Sequence, residues 1–397
     1  MSNRKSKINI VPECLLRPTR EGSLGFFEGE KAWQAEWWGM PEFTVQDTSP
    51  GYRITINFMT LEDIRRFAKV TGIPLTAKSD SAWYPPQTPL NGSWEYDGPK
   101  TDSTYPVCIP SKGRWSNQKT GKALDRLGVS YRFFVEETEG EKYIEVLGTD
   151  KVVVMPFHDL GKGSTPARNF IWDWAKANGY KRHWVVDDNI VSFARCNANR
   201  RLCVRGGGFF RAMEEFVDRY ENIAIAGPQH TGFVPDRSKN LVPFLLNSRI
   251  YSCILLDTSL PYRWRGRYNE DTDLSLRVLK AGYCTLLFRA LLMDKTGIAL
   301  GSGDGLGTQG KAMPGGNTDN VYNSKDYRYN FAKSLKKQHP DCVTIVWRYG
   351  RWHHQVDYSR FVGNKLRLKP GIIPSACNNE YSMQLIEVKR KRKVCSI

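Results

Sequence analysis

The segment 164–190, STPARNFIWDWAKANGYKRHWVVDDNI, constrains the fold more than any other part of the sequence. Thr165 is a residue type that caps helices and Gly179 one that ends them, so we predict a helix between these two residues. The apolar run Trp184–Val186 is typical of a short buried strand. This strand delivers two neighbouring carboxylates, Asp187 and Asp188, at its carboxyl end.

Strand-like and helix-like segments alternate around this stretch. The runs Val107–Ile109, Tyr131–Val135 and 151–157 are typical of strands, and a helix is predicted to end near Leu127. Such alternation indicates an α/β fold with a mixed, mostly parallel sheet flanked by helices. Because ligands of such sheets bind at the carboxyl ends of the strands, the two acids lie where a site is expected.

The chain divides into three predicted regions. Residues 1–103 are interpreted as a small appended α+β module, 104–375 as the main α/β domain and 376–397 as a basic C-terminal tail. In the first region, the alternation in Tyr52–Phe58 predicts a strand, and the spacing in Thr60–Asp63 predicts a capped helix start.

The charge balance allows two kinds of surface. The chain has 58 Lys and Arg against 41 Asp and Glu, a formal charge of +17. Such a surface can hold a polyanion such as nucleic acid through phosphate contacts. A lysine-rich solvated face without a partner is an equally good interpretation of the charge alone.

Cysteine usage and hydropathy bear on location. The nine cysteines form no CxxC pair, which favours reduced thiols and a cytoplasm. The N-terminus has no apolar signal region, and no apolar run approaches the ~18 residues of a spanning helix. We therefore predict a soluble, unexported protein with no membrane partner.

The acids at the end of the central strand suit a hard cation. Asp187, Asp188 and Asn189 offer oxygen ligands of the kind that Mg²⁺ or Mn²⁺ prefers, and such an ion could neutralise a diphosphate leaving group. The alternative is an ordinary turn at a strand end, where Asp and Asn are common.

Four segments in order, IPSKGRW, STPARNF, WVVDDNI and NEDTDLSLR, resemble the TET/JBP-associated glycosyltransferases, a mostly bacteriophage family. The resemblance covers roughly residues 105–360. It implies a GT-A (Rossmann-like) fold and transfer of a sugar from UDP-glucose or UDP-N-acetylglucosamine to 5-hydroxymethylcytosine in DNA, assisted by Mn²⁺ or Mg²⁺. It also implies a place in the cytoplasm of a phage-infected bacterium.

The resemblance implies roles for individual residues. The donor nucleotide would be bound by residues from three strand ends and one helix start: Pro110, Ser111, Lys112, Arg114, Glu136, Arg168, Asn169 and Asp187. The metal would be held by the end of the central strand and by a later histidine pair: Asp188, Asn189, His353 and His354. The third position of the acid motif is Asn rather than Asp, which lowers the charge available to a metal.

Glu270 and Asp271 open the helix in the second acidic segment, where the resemblance implies the catalytic base, with Asp271 preferred. An acceptor hydroxyl must lose a proton as it attacks, and a carboxylate within reach can take it. Acids are also common in any first helical turn because of the helix dipole. Two other functions stay open, namely transfer to a protein or glycan and non-catalytic DNA binding on the same scaffold.

Overall fold

The computed structural model describes residues 33–45, 52, 54–79, 81–82, 84, 93–234, 241–295, 327–375 and 377–388. These residues fall into two compact units. The larger takes the described residues of 26–47 and 94–386, and the smaller takes those of 48–93 and 387–397. The units are discontinuous and cut across the predicted boundary at residue 103.

A mixed sheet dominates the larger unit. Its strand order is β14-β1-β7-β6-β11-β8-β10-β5-β2-β3-β4, with β9 paired to β11. The strands are β1 (Ser93–Lys100), β2 (Val107–Pro110), β3 (Tyr131–Glu136), β4 (Val152–Met155), β5 (Arg182–Val186), β6 (Ile190–Asn197), β7 (Arg200–Gly207), β8 (Ile223–His230), β9 (Phe244–Leu246), β10 (Cys253–Asp257), β11 (Cys284–Lys295) and β14 (Gln384–Val388). The block β4-β3-β2-β5 is parallel throughout, so its strands end at one edge.

Besides the sheet, the described residues form seven α-helices, four short 3₁₀ helices and one separate hairpin. The helices are α1 (Leu61–Thr71), α2 (Lys119–Leu127), α3 (Gly140–Leu147), α4 (Thr165–Ala177), α5 (Phe209–Asp218), α6 (Glu270–Lys280) and α7 (Tyr327–Gln338). The hairpin pairs β12 (Val343–Arg348) with β13 (Arg351–Val356). Helix α1 belongs to the smaller unit.

The sheet is covered on both faces because successive strand residues point to opposite sides. Trp184 and Val186 of β5 join the core shared with α2 and α5, whereas Val185 joins the core shared with α4 and α6. Trp184 and Trp172 are fully buried, one in each core. A buried ring of this size removes ~150–250 Å² from water, or about 4–6 kcal/mol as an upper figure. This packing fixes β5, and with it the two acids that follow.

The α/β class and the central helix–strand unit are confirmed, with corrections elsewhere. Helix α4 has Ser164 as its N-cap residue, so the predicted cap at Thr165 is wrong by one residue. The Thr165 hydroxyl instead donates to the Gly266 carbonyl over 2.7 Å. The capping box predicted for Thr60–Asp63 is confirmed, but the strand predicted at Tyr52–Phe58 is wrong, since 54–58 join no sheet.

The ends of the chain also differ from a simple appended module and tail. Trp37 is buried against Phe216 and Phe244, with ring centroids 5.7 and 5.9 Å away, so the segment around it belongs to the main core. β14 lies within the region predicted as a tail. The basic run 389–393 lies outside the described residues. No helix in the described part of the chain is long and apolar enough to cross a membrane.

Candidate active site

A cavity of about 1020 Å³ opens at the carboxyl ends of β2, β3 and β5. Helices α4 and α6 contribute their first turns to its wall, and the hairpin contributes β13. Thirteen of the fourteen predicted site residues line it, and the exception is Asn169. Its volume is at or above the upper end of ~300–1,000 Å³ for small-molecule sites, which leaves room for a donor and part of an acceptor.

Asp188 is held by the loop that follows β2. Its carboxylate accepts a 2.5 Å hydrogen bond from the Ser111 hydroxyl and forms an ion pair with Arg114. Tyr143 of α3 supports this loop, because its hydroxyl lies 2.8 Å from Ser111 Oγ and accepts the Arg114 amide over 3.1 Å. Burial raises the pKa of Asp188, and the nearby Arg114 and Ser111 only partly offset that effect.

Asp187 lies between two cations from distant parts of the chain. One oxygen is 3.1 Å from Arg168 Nη2, and the other is 2.7 Å from Lys295 Nζ. Lys295 also donates to Ser252 Oγ over 2.9 Å. Burial alone would raise the pKa of Asp187, but Lys295 and Arg168 outweigh it and hold the pKa below its ordinary value.

Arg168 connects the two acidic segments. It is only 5% exposed, and its Nε lies 3.7 Å from Glu270 Oε1 while its Nη2 contacts Asp187. The guanidinium also sits 4.8 Å from the ring centre of Trp264. Ser164, the N-cap residue of α4, donates to the same Glu270 oxygen over 2.7 Å. The start of α4 therefore joins the end of β5 to the start of α6.

Lys112, in the loop after β2, also lines the cavity. Its ammonium is 2.6 Å from Glu136 at the end of β3 and also forms an ion pair with Asp159. Burial would lower the pKa of Lys112, but these two carboxylates more than compensate and raise it. Lys112 is therefore a cation at neutral pH, positioned by two acids.

The two acids that open α6 have different surroundings. Glu270 is largely buried, and burial raises its pKa, with Arg168 and Ser164 acting in the opposite direction. Among the described residues, the Asp271 carboxylate accepts hydrogen bonds from Thr272 alone. Asn269, in the left-handed conformation at φ 53°, precedes them and donates to the Phe331 carbonyl of α7 over 2.9 Å. Glu270 is thus held by Ser164 and Arg168, whereas the Asp271 carboxylate accepts hydrogen bonds only from its neighbour Thr272 among the residues described.

His353 and His354 reach the cavity from β13. Burial, reinforced by the charge of Arg249, lowers the pKa of His354 to about 4, whereas Asp271 acts in the opposite direction. Burial and the charges of Arg351 and Arg328 also lower the pKa of His353. Both imidazoles are therefore neutral at pH 7, and His354 lies within electrostatic range of Asp271.

Asn169 supports the site from outside. Its side chain donates to the Trp264 carbonyl over 2.9 Å and accepts the Trp264 amide over 2.9 Å. These bonds fix the indole on which Arg168 rests. Asn169 thus contacts Arg168 only indirectly, through Trp264, and its predicted nucleotide contact stays a prediction.

The donor set does not fit a divalent ion in this arrangement. Asp187 and Asp188 already face Lys295, Arg168 and Arg114. Among the described residues, no three His, Cys, Asp or Glu side chains lie close enough to ligate one metal. The predicted ligation by Asp188, Asn189 and the histidines stays a prediction.

Sequence reasoning missed Lys295 and Tyr143. Lys295 is the last residue of β11, and the pairing of β11 with β6 shifts register just before it, the kind of irregularity that redirects a side chain. The sequence signal that could have indicated Lys295 as a site residue is a lysine at the end of a long, mostly buried strand. Tyr143 gave none, since it lies within an ordinary amphipathic helix.

A helix-covered sheet with a large cavity of acids and cations at its strand ends is typical of α/β proteins that bind a ligand there. The family model described as TET-Associated Glycosyltransferase matches residues 105–303, half of the 397 residues. The chain belongs to this family and is a glycosyltransferase, which confirms the resemblance inferred from the sequence.

The other comparisons add little. A chain from Desulfovibrio desulfuricans G20, assigned as a nucleotide-diphospho-sugar transferase, is 12% identical, with coverage of 47% of this chain and 80% of that chain. Its TM-score is 0.28, which is too low to support any conclusion. The search of curated proteins found no match.

Proposed function

We propose that the protein transfers a sugar, glucose or N-acetylglucosamine, from a UDP-sugar to the hydroxymethyl oxygen of 5-hydroxymethylcytosine in DNA. The observation that carries the proposal is the meeting of the two acidic segments through Arg168 at one cavity. One segment follows β5 and the other opens α6, so donor-binding and base functions lie side by side.

The reaction requires one proton acceptor and one stabilised leaving group. The acceptor oxygen forms a bond to the anomeric carbon as the bond from that carbon to the UDP oxygen breaks. In our proposal Asp271 takes the hydroxyl proton, and UDP leaves with the electron pair of the broken bond. Glu270 is less suited to this role because Ser164 and Arg168 already engage it.

Three cations of the cavity suit the diphosphate. Lys112 and Arg168 each contact two acids, and Lys295 contacts one acid and a serine hydroxyl, so all three are fixed in place before a ligand arrives. Preorganised cations stabilise charge that develops on a leaving group without reorganisation at the moment of reaction. No step in this proposal passes through a divalent ion.

Two properties support DNA as the acceptor. The chain carries a formal charge of +17, which favours a polyanion. Arg249, Arg267 and Arg328 also line the cavity, beyond the cations assigned to the donor. A substituent at the 5-position of cytosine projects into the major groove, where such residues can approach it.

The test is incubation of the protein with each UDP-sugar and duplex DNA that contains 5-hydroxymethylcytosine, followed by mass spectrometry of the nucleosides. We expect addition of one hexose or N-acetylhexosamine per modified base. Asp271→Asn should lower the rate about 10²- to 10⁴-fold. Asp173→Asn, which changes an exposed acid of α4 outside the cavity, is the matched control.

Transfer to a protein or glycan but not to DNA would refute the acceptor assignment while preserving the transferase. No UDP release with any acceptor would refute the DNA-modification proposal as a whole.

A further inference from the structure

The tip of the β12–β13 hairpin exposes large aromatic side chains. Trp347 is 58% exposed, Tyr349 78% and Trp352 39%. Tyr349 and Gly350 form the turn with φ of 53° and 68°, the backbone typical of a tight two-residue hairpin turn. The two strands are therefore joined by a tight two-residue turn rather than by a long loop.

Trp347 and Trp352 form one cluster with Tyr329 of α7. The ring centres of Trp347 and Trp352 are 5.0 Å apart, and those of Tyr329 and Trp352 are 5.3 Å apart. Tyr329 is itself 36% exposed. Contiguous exposed apolar patches mark interaction surfaces, whereas single exposed aromatic residues are common and need no explanation. This cluster is of the first kind.

The chemistry of the surface favours a polyanion. Arg348 and Arg351 flank the tip, and α7 adds Arg328 and Lys333. The segments 327–338 and 343–356 contain no Asp or Glu. Aromatic rings that stack on bases, mixed with arginines that pair with phosphates, are the elements by which proteins hold unstacked nucleic acid.

The cluster is continuous with the active-site cavity. Trp352 and Arg328 belong both to the aromatic surface and to the cavity wall, together with His353 and His354. A ligand that lies along the hairpin is therefore led to Asp271, which also lines that wall.

We propose that the hairpin tip binds the acceptor DNA by stacking Trp347 and Tyr349 on bases next to the modified nucleotide. Arg348 and Arg351 contact the flanking phosphates. This inference rests on the proposed function and adds the element that presents the DNA to the site.

The test measures DNA binding separately from catalysis. Fluorescence anisotropy of the full chain with a 5-hydroxymethylcytosine oligonucleotide gives the affinity, and 2-aminopurine beside the modified base reports stacking. We expect Trp347→Ala and Tyr349→Ala each to weaken binding about 5- to 150-fold and to restore 2-aminopurine fluorescence. Trp347→Phe keeps a ring and should stay within about threefold of the native chain.

Two matched variants serve as controls. Tyr84→Ala removes a tyrosine that is 76% exposed, close to the exposure of Tyr349. Arg348→Ala, which removes a proposed phosphate contact, should also weaken binding, and Arg65→Ala is its charge control, since it removes the same charge from an exposed helix of the smaller unit. Both controls should bind DNA as the native chain does, and every variant should keep its affinity for UDP in calorimetry.

The outcomes separate this inference from the proposed function. DNA binding unchanged in the alanine variants, with normal glycosylation, overturns the hairpin assignment and keeps the function. Hairpin-dependent binding without glycosylation keeps the hairpin and overturns the function. Equal losses in the control variants would show a general charge or folding effect and would also overturn the hairpin assignment.

Discussion

Replacement of Lys295 by methionine tests whether a built-in cation stabilises the acid pair. Lys295 Nζ is 2.7 Å from Asp187, and the two side chains are 19% and 26% exposed. Breaking a fully buried pair costs ~3–5 kcal/mol, and an exposed pair is worth ~0–1 kcal/mol. Because this pair is partly exposed and Arg168 still contacts Asp187, we expect a loss of about 2 kcal/mol.

The assay is urea unfolding together with thermal melting. At ~2–4 °C per kcal/mol, or less for a domain of this size, the melting temperature should fall by about 4 °C. The matched control is Lys151→Met, which breaks a pair with Asp125 at 3.3 Å whose side chains are 42% and 52% exposed. It should shift the melting temperature by about 1 °C or less.

A double-mutant cycle with Asp187→Asn isolates the pair. We expect a coupling free energy of about 1–2 kcal/mol between the Lys295 and Asp187 substitutions. Equal melting temperatures for Lys295→Met and the Lys151→Met control, or a coupling near zero, would refute the idea that Lys295 neutralises Asp187.

Further predictions concern catalysis, pH, metal and framework. Asp271→Asn should lower the transfer rate about 10²- to 10⁴-fold while leaving UDP affinity and the melting temperature unchanged. Glu270→Gln should mainly lower the melting temperature, because Ser164 and Arg168 contact Glu270; the reverse pattern would make Glu270 the base. The pKa of Asp187 in the folded protein lies below its ordinary value of 3.8. Ionised Asp187 therefore stabilises the fold above that pH, and this contribution is lost as the pH falls through the folded pKa. The difference in unfolding free energy between the native chain and Asp187→Asn should therefore close in acid. UDP affinity in EDTA should stay within about twofold of that in Mn²⁺, since protein cations already face both acids; a tenfold gain with Mn²⁺ would show that the ion displaces them. Asn169→Ala should cost about 1–3 kcal/mol of stability by leaving the Trp264 backbone unpaired, with chemistry weakened only through Arg168.

Local patterns predicted the parts of the site that depend on neighbours in sequence. The strand that ends just before Asp187, the helix that precedes it and the acids that open α6 all follow from hydrophobic spacing and helix signals. The cap was misplaced by one residue because Ser164 and Thr165 are both suitable and only tertiary contacts choose between them.

Long-range contacts were beyond the same reasoning. Lys295 follows Asp187 by 108 positions, so no local spacing could indicate their pairing. The segment around Trp37 has no recognisable pattern, yet it completes the main core, because aromatic packing depends on shape rather than on periodicity.

The arrangement of charges has a consequence for ligand binding. Without a ligand, Arg168 and Lys295 both form ion pairs with Asp187. A diphosphate, which carries more negative charge than one carboxylate, would compete with Asp187 for these cations. As the cations turn toward the phosphates, Asp187 loses the interactions that hold its pKa low, and burial then favours its protonated form. Donor binding should therefore raise the pKa of Asp187. In the proposed reaction, its carboxylate would keep the two cations in position until the diphosphate takes its place.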